Sequence, residues 1–316
     1  MKIVSSAQMS EKHRVELKKR YPEADFYFFE NMNQAVEDLK TADVLITYGL
    51  DLTKEIVNQC THLKWIQVIS AGINELPLDI INEKKILLTN AKGIHHIQMS
   101  EYTIGVIFQL SRKMNEIYKN QLKKKWEVIR FSEMYGSTIG IVGLGSIGQG
   151  IAEKAKAFNM KVIGMNTDGR AVPYVDKVFK PNQLKELMAE SDYVVIIVPL
   201  TPDTYHLIGQ EELHAMKETA YIINIARGEV IDEEALISKL KNKEIAGAVL
   251  DVFSKEPLPE DHPFWTLDNC IITPHLSGKS PNYLKRAIEL LMYNMDYYRK
   301  NEISKMKNVV DSDKRY

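Results

Sequence analysis

The chain has 316 residues, with 41 Lys and Arg against 42 Asp and Glu and a formal net charge of −1. That length suits two domains, each able to bury its own core. The charge balance gives no electrostatic case for nucleic acid or an anionic membrane as partner. Two cysteines, Cys60 and Cys270, form no metal-type pair, so no metal site is expected and a reducing cytoplasm is the default compartment. The opening Met1-Lys2-Ile3-Val4-Ser5 is too short and polar for a secretory segment. The longest apolar run, near Val194–Val198, cannot span a bilayer.

Up to about residue 95 the pattern alternates short apolar strands with helices. Lys2–Val4, Asp25–Phe29, Val44–Tyr48, Trp65–Ile69 and Ile86–Leu88 read as strands of a parallel sheet. A long apolar segment, Ser100–Tyr118, reads as a helix whose Ile104, Val106, Ile107, Leu110 and Met114 exceed what one face needs. The second half predicts strands at Thr138–Val142, Lys161–Met165, Val178–Phe179, Tyr193–Val198, Tyr221–Asn224, Ala246–Leu250 and Cys270–Ile272. Helices are predicted over Gln149–Asn159, Asn182–Ala189, Gln210–Met216 and Glu233–Leu240, with a last one from Pro281 to Tyr298. The fold class is α/β: two doubly wound parallel-sheet domains, a Rossmann cofactor domain (100–283) inserted into a flavodoxin-like substrate domain (1–99 plus 284–316).

Gly143-Leu144-Gly145-Ser146-Ile147-Gly148 stands between the strand Thr138–Val142 and the helix that follows. This is the βαβ layout of a dinucleotide site. Gly143 allows the tight turn, Gly145 lets the backbone approach a pyrophosphate, and Gly148 lets helix and strand pack closely. The helix start at Ser146 and Ile147 offers free N–H groups and a positive dipole end.

Four polar islands follow buried strands of the second half, where open α/β sheets bind ligands. They are Val198-Pro199-Leu200-Thr201-Pro202, Asn224-Ile225-Ala226-Arg227-Gly228, Leu250-Asp251 through Glu256-Pro257, and Thr273-Pro274-His275-Leu276-Ser277-Gly278. Taken singly, Arg227 reads as a surface ion pair, Glu256 as a loop carboxylate and His275 as a buried histidine bonded to backbone. Together, beside a nucleotide site, they point to chemistry.

These motifs, with Ser70-Ala71-Gly72-Ile73-Asn74, Thr89-Asn90-Ala91-Lys92-Gly93 and Ser100-Glu101-Tyr102, closely resemble the D-isomer-specific 2-hydroxyacid dehydrogenases. The resemblance covers nearly the whole chain. It implies an NAD(P)-dependent oxidoreductase acting on a small 2-hydroxy or 2-keto acid, two domains with a cleft between them, and a homodimer. It casts His275 as the acid/base, Glu256 as its partner and Arg227 as the clamp on the substrate carboxylate. The backbone of Ala71 and Gly72 would grip the same carboxylate, and Tyr48 lies in a loop that would shape selectivity. Asp251 would orient the nicotinamide carboxamide, against the plainer reading of a strand-end cap. Val198, Pro199, Ile225 and Ala226 would wall the nicotinamide, and Thr204 and Gly278 complete the expected cofactor set.

The chain departs from the family pattern at Asn74 and Ser100, where Asp and Ala are commoner, and at Asn166, where many members carry an acid that bonds the adenosine ribose. Asn166, Thr167 and Arg170 would tolerate a 2′-phosphate while Asp168 opposes it, so NADPH is expected to be accepted with a mild preference over NADH. Proton transfer to a ketone oxygen at neutral pH suits histidine, and a planar guanidinium suits a carboxylate. The alternative is a dinucleotide-sensing corepressor of the same fold, which carries extra tails that this chain is expected to lack.

Overall fold

Two sets of strands rich in Val, Ile and Leu fix the architecture, because strands buried on both faces must be covered by helices on both sides. In the computed structural model, which describes residues 1–73 and 75–310, the chain divides into two units. One unit is Met1–Ile94 with the segment from Ser280, and the other is His95–Lys279. Asn74 lies outside the described residues.

The first unit runs β1 (Lys2–Ser5), α1 (Glu11–Arg20), β2 (Asp25–Phe28), α2 (Met32–Leu39), β3 (Val44–Thr47), α3 (Lys54–Gln59), β4 (Trp65–Val68), α4 (Leu78–Glu83) and β5 (Leu87–Thr89). All neighbours are parallel, in the order β2-β1-β3-β4-β5. That is the flavodoxin-like order. The C-terminal helix Tyr283–Tyr298 seals this unit with Ala287, Ile288, Leu291 and Met295. A buried polar chain joins it to the sheet. Trp65 Nε1 donates to Thr89 Oγ1 at 2.8 Å, Thr89 Oγ1 to Gln67 Oε1 at 2.8 Å, and Asn294 Nδ2 to the same oxygen at 3.1 Å. Thr89 also bridges Val309 in antiparallel sense.

The second unit runs α5 (His96–Ser111), α6 (Met114–Leu122), β6 (Thr138–Val142), α7 (Ser146–Ala157), β7 (Lys161–Met165), β8 (Lys177–Phe179), α8 (Leu184–Glu190), β9 (Tyr193–Ile196), α9 (Gln210–Ala215), β10 (Tyr221–Asn224), α10 (Glu233–Lys241), β11 (Gly247–Leu250) and β12 (Cys270–Ile272). Its parallel sheet has the order β12-β11-β10-β9-β6-β7-β8. Counted within the unit, this is the Rossmann order 3-2-1-4-5-6 with a seventh strand, reversing between β6 and β9.

The predicted elements are all found, with shifts that have local causes. The strand expected to reach Val198 ends at Ile196, while the helix after the glycine motif begins at Ser146, where its start was expected. The unit boundary precedes α5 instead of falling after Met99. α5 packs against α7 so closely that a Cβ at Gly150 would stand 3.2 Å from the His96 carbonyl oxygen. The long helix predicted over Ser100–Tyr118 breaks in two, because Lys113 takes a left-handed φ of 50°. Its Ile104, Val106 and Ile107 are consumed in the core of the unit. α6, by contrast, has no buried residue among those described, and the segment after it leaves Trp126 99% and Val128 92% exposed. No described helix is long and apolar enough to cross a membrane.

Candidate active site

The glycine motif occupies the turn from β6 into α7, at the reversal point of the sheet. Gly143 has φ 111°, and a Cβ there would stand 2.6 Å from the Ile197 carbonyl oxygen, so no other residue fits. A Cβ at Gly148 would stand 2.1 Å from the Gly143 carbonyl oxygen, which is the close helix–strand packing the motif requires. Gly145 differs. It is the N-cap of α7 with φ −73°, and a Cβ there would meet nothing within 4 Å among the described residues. The protein's own atoms do not demand glycine at that position. An open cradle over helix N–H groups that have no side-chain cap does, since it is shaped for a pyrophosphate. Gly143, Gly145, Ser146, Ile147 and Gly148 therefore fit a dinucleotide.

After β7 the loop is braced by its own side chains. Asn166 Oδ1 accepts from Gly169 N at 2.7 Å and its Nδ2 donates to the Arg170 carbonyl at 2.9 Å. Asn166 thus spends its acceptor and one donor on the loop, where the sequence suggested that it face the ribose. Asp168 accepts from Arg170 N at 3.2 Å, and its other oxygen lies 3.7 Å from Arg170 Nε. After β9, Thr204 Oγ1 donates to the Pro199 carbonyl at 2.6 Å, fixing the loop that carries Val198 and Pro199.

After β10, buried Asn224 clamps the next turn. Its Oδ1 accepts from Ala226 N at 3.0 Å and its Nδ2 donates to the Arg227 carbonyl at 2.9 Å. Ile225 and Ala226, expected as cofactor wall, are turned into the cores on the two faces of the sheet, at 2% and 4% exposure. The same turn leaves the Arg227 side chain at the surface, with Nη1 donating to the Ala226 carbonyl at 2.7 Å. A Cβ at Gly228 would overlap the Phe253 backbone at 2.0 Å, so the turn after β10 is pressed onto the loop after β11 that carries Glu256.

The loops after β11 and β12 interlock. Glu256 Oε1 accepts from Phe253 N at 3.0 Å and its Oε2 lies 2.8 Å from His275 Nδ1. A carboxylate only accepts here, so the proton sits on Nδ1 and Nε2 is left for exchange. His275 has φ 51°, a left-handed backbone that costs a residue with a Cβ about 1–2 kcal/mol. Asp251 holds that backbone from full burial. Its Oδ1 accepts from Leu276 N at 2.7 Å and from Thr273 Oγ1 at 2.5 Å, and its Oδ2 accepts from Ser277 N at 2.8 Å. In this structure Asp251 is the strand-end brace of the histidine loop.

Sequence reading gave no role to His95 at the N-cap of α5 or to Gln98 and Tyr102 on it, although Tyr102 lies in the Ser100-Glu101-Tyr102 motif. Gln98 Nε2 donates to the Gly278 carbonyl at 3.1 Å, Tyr102 OH lies 2.7 Å from Thr273 Oγ1, and the half-buried His95 is within the field of the Arg227 charge. Burial first, and then the Arg227 charge, push the His95 imidazole below its usual pKa. Burial pushes the Tyr102 phenol up to about 12. The available signal was the spacing of positions 95, 98 and 102, which puts three polar side chains along one face of the helix start.

In the first unit, Ser70 Oγ lies 3.2 Å from the Tyr48 carbonyl and 3.0 Å from the Gly72 carbonyl, and Asn90 Nδ2 donates to the Ala71 carbonyl at 2.9 Å. These bonds fix the peptide planes of the turn after β4. Tyr48, on the turn after β3, is 36% exposed, and burial of its ring pushes its phenol pKa up.

A Rossmann sheet with this cradle, and with Arg, Glu and His on successive loops, fits the class of nicotinamide-dependent oxidoreductases. Residues 104–277 match the family model described as D-isomer specific 2-hydroxyacid dehydrogenase, NAD binding domain. The D-3-phosphoglycerate dehydrogenase of Methanocaldococcus jannaschii is 36% identical over 264 residues, covering 80% of this chain and 49% of that protein. The chain thus spans about half the length of that relative. The glyoxylate reductase of Thermofilum pendens is 35% identical over 278 residues, covering 85% of this chain and 82% of that one. Among solved structures, a D-isomer specific 2-hydroxyacid dehydrogenase family protein from Aeromonas salmonicida subsp. salmonicida superposes with TM-score 0.89 at 29% identity, covering 98% of this chain and 99% of that one. The D-lactate dehydrogenase of Aquifex aeolicus, complexed with NAD and lactic acid, gives 0.79 at 26% identity, covering 98% and 99%. The chain belongs to the D-isomer specific 2-hydroxyacid dehydrogenase family. It is a 2-hydroxyacid dehydrogenase with a nicotinamide cofactor. Relatives of this kind do not favour the corepressor alternative.

Proposed function

We propose that this enzyme reduces a small 2-keto acid to the D-2-hydroxy acid, with His275 as the proton donor. The observation that carries the reading is the 2.8 Å pair between His275 Nδ1 and Glu256 Oε2, with Glu256 itself held by the Phe253 amide. The bound nicotinamide supplies the hydride. His275 gives its Nε2 proton to the substrate carbonyl oxygen, and Glu256 keeps the ring oriented and balances the imidazolium charge. Arg227 offers a planar fork to the substrate carboxylate. In the first unit, the N–H groups of Ala71 and Gly72 and the ring of Tyr48 are the proposed substrate contacts. Val198, Pro199, Thr204, Asp251 and Gly278 are the proposed surroundings of the nicotinamide end, with Ile225 and Ala226 contributing backbone.

For the adenosine end we propose that NADPH is accepted with a mild preference. No carboxylate stands at Asn166, and Asp168 is drawn onto Arg170, which leaves an exposed guanidinium in the loop with Thr167. A homodimer is proposed on the apolar surface of α6 and the segment through Tyr135. A cytoplasmic site is proposed on the unpaired Cys60 and Cys270.

The test is a panel of glyoxylate, hydroxypyruvate, pyruvate and longer 2-keto acids, each with NADH and NADPH at fixed moderate salt. Turnover of at least one 2-keto acid, lost in His275→Ala, is expected. Full activity of His275→Ala overturns the assignment. A preference for NADH above about tenfold, or about 1.4 kcal/mol, overturns the cofactor proposal.

A further inference from the structure

α5 begins just after His95 and presents His95, Gln98 and Tyr102 at spacings of three and four residues, which places them along one face. That face meets the loop after β12 at both of its ends. At one end Tyr102 OH lies 2.7 Å from Thr273 Oγ1. At the other, Gln98 Nε2 donates to the Gly278 carbonyl at 3.1 Å, and a Cβ at Gly278 would stand 3.5 Å from His95 Cδ2. His275 lies between the two contacts.

Proton counting gives the first contact a direction. Thr273 has one hydroxyl proton, which goes to Asp251 Oδ1 at 2.5 Å. Tyr102 must therefore donate to Thr273. Asp251 in turn takes the amides of Leu276 and Ser277, and its carbonyl takes the amide of His275 at 2.9 Å. The Tyr102 hydroxyl is thus one threonine away from the carboxylate that sets the left-handed His275 backbone.

The second contact reaches Arg227. His95 lies against Gly278 and within the field of the Arg227 guanidinium, whose charge, after burial, disfavours its protonation.

We infer that this face of α5 is a positioning surface for the proton-transfer loop. Tyr102 holds the loop through Thr273 and Asp251, and His95 packs against it at Gly278. Neither residue touches reacting atoms; both act through groups that do. The inference rests on the reading of His275 as the acid/base, and the experiment separates the two.

Tyr102→Phe, Thr273→Val, His95→Leu and His95→Gln are compared with the parent and with His275→Ala in the full chain. Steady-state rates are measured on the best 2-keto acid of the panel, and NADPH binding by fluorescence titration. Loss of the Tyr102 hydroxyl, the Thr273 hydroxyl or the His95 ring is expected to lower kcat about ten- to a hundredfold, the scale of a small misplacement of a reacting group. NADPH affinity should stay within about twofold of the parent, and His95→Gln should recover most of the loss, because its amide restores a neutral polar group. Thr273→Val carries the test if Tyr102→Phe does not fold. Parental kcat in Tyr102→Phe, Thr273→Val and His95→Leu, with His275→Ala inactive, overturns the inference and leaves the acid/base reading intact. A fall in kcat matched by an equal loss of NADPH affinity indicates general disruption and also overturns it. Full activity in His275→Ala overturns the acid/base reading itself.

Discussion

Asp251 holds His275 by backbone and side chain together: its carbonyl accepts the His275 amide at 2.9 Å, while its carboxylate takes the two amides that follow. The loop closes around a carboxylate with no exposed surface. Asp251→Ala should therefore strand two N–H groups and the Thr273 hydroxyl, each at a cost of about 1–3 kcal/mol. A large fall in the thermal midpoint is expected together with loss of kcat. An unchanged midpoint would falsify the bracing role.

The His275–Glu256 pair makes a graded prediction. His275→Ala should lower kcat/KM by about 10²–10⁴-fold, the usual contribution of a general acid or base. Glu256→Gln should cost less, because its single amide oxygen can still accept from Nδ1 at the expense of the Phe253 amide, but no longer balances the imidazolium. Arg227→Lys should raise KM for the keto acid, since an ammonium cannot reproduce the planar fork. Steady-state kinetics on one substrate rank the three, and equal effects would deny the division of roles.

Two glycines of one motif should behave oppositely. Gly148→Ala places a Cβ 2.1 Å from the Gly143 carbonyl oxygen, so it should destabilise the fold. Gly145→Ala meets no described atom within 4 Å, so the thermal midpoint should hold while cofactor affinity falls. Calorimetry with and without NADPH distinguishes them. Parental affinity in Gly145→Ala would place the pyrophosphate elsewhere.

His95 carries a pH dependence whose sign follows from its lowered pKa. Above about pH 6.5 the imidazole is neutral in both folded and unfolded chains. Below it the unfolded chain takes up a proton that the folded chain resists, mainly through burial and then through Arg227, so stability falls as the pH falls. His95→Gln should shrink the difference between thermal midpoints at about pH 7.5 and about pH 5.5. An unaltered difference would assign the acid sensitivity to other groups.

The exposed apolar stretch predicts assembly. Trp126 and Val128 stand almost wholly in water, and Met114 and Tyr118 expose half or more of their surface. A soluble chain rarely leaves such a patch uncovered. Sedimentation at micromolar concentration should give a dimer, and Trp126→Glu with Val128→Glu should give monomer. A parent that sediments as a single 36.2 kDa species contradicts it.

Much of this was legible in the sequence. Strand positions followed from runs such as Val44–Thr47 and Tyr193–Ile196, where burial on both faces leaves no polar alternation to confuse. Arg227, Glu256 and His275 were legible because polar residues directly after buried strands fall on one edge of a sheet. What was not legible depends on tertiary partners. Asn166 was expected to face the cofactor ribose, yet its bonds go to Gly169 and Arg170. Ile225 and Ala226 were read as a wall, yet the turn rotates them into the core. The break at Lys113 has no proline or glycine to announce it, and His95, Gln98 and Tyr102 gain meaning only when α5 meets the loop after β12.

The interrupted first unit has a consequence for how the chain is made. Its sheet is synthesised first, but the core facing the C-terminal helix lacks Ala287, Ile288, Leu291 and Met295, and buried Gln67 lacks its Asn294 donor. The second unit is contained in His95–Lys279 and emerges whole before that helix does. The usual N-terminal-first order of folding on the ribosome is thereby inverted: the cofactor-binding unit can reach its native state while the earlier-translated half waits, with exposed apolar surface, for the helix Tyr283–Tyr298.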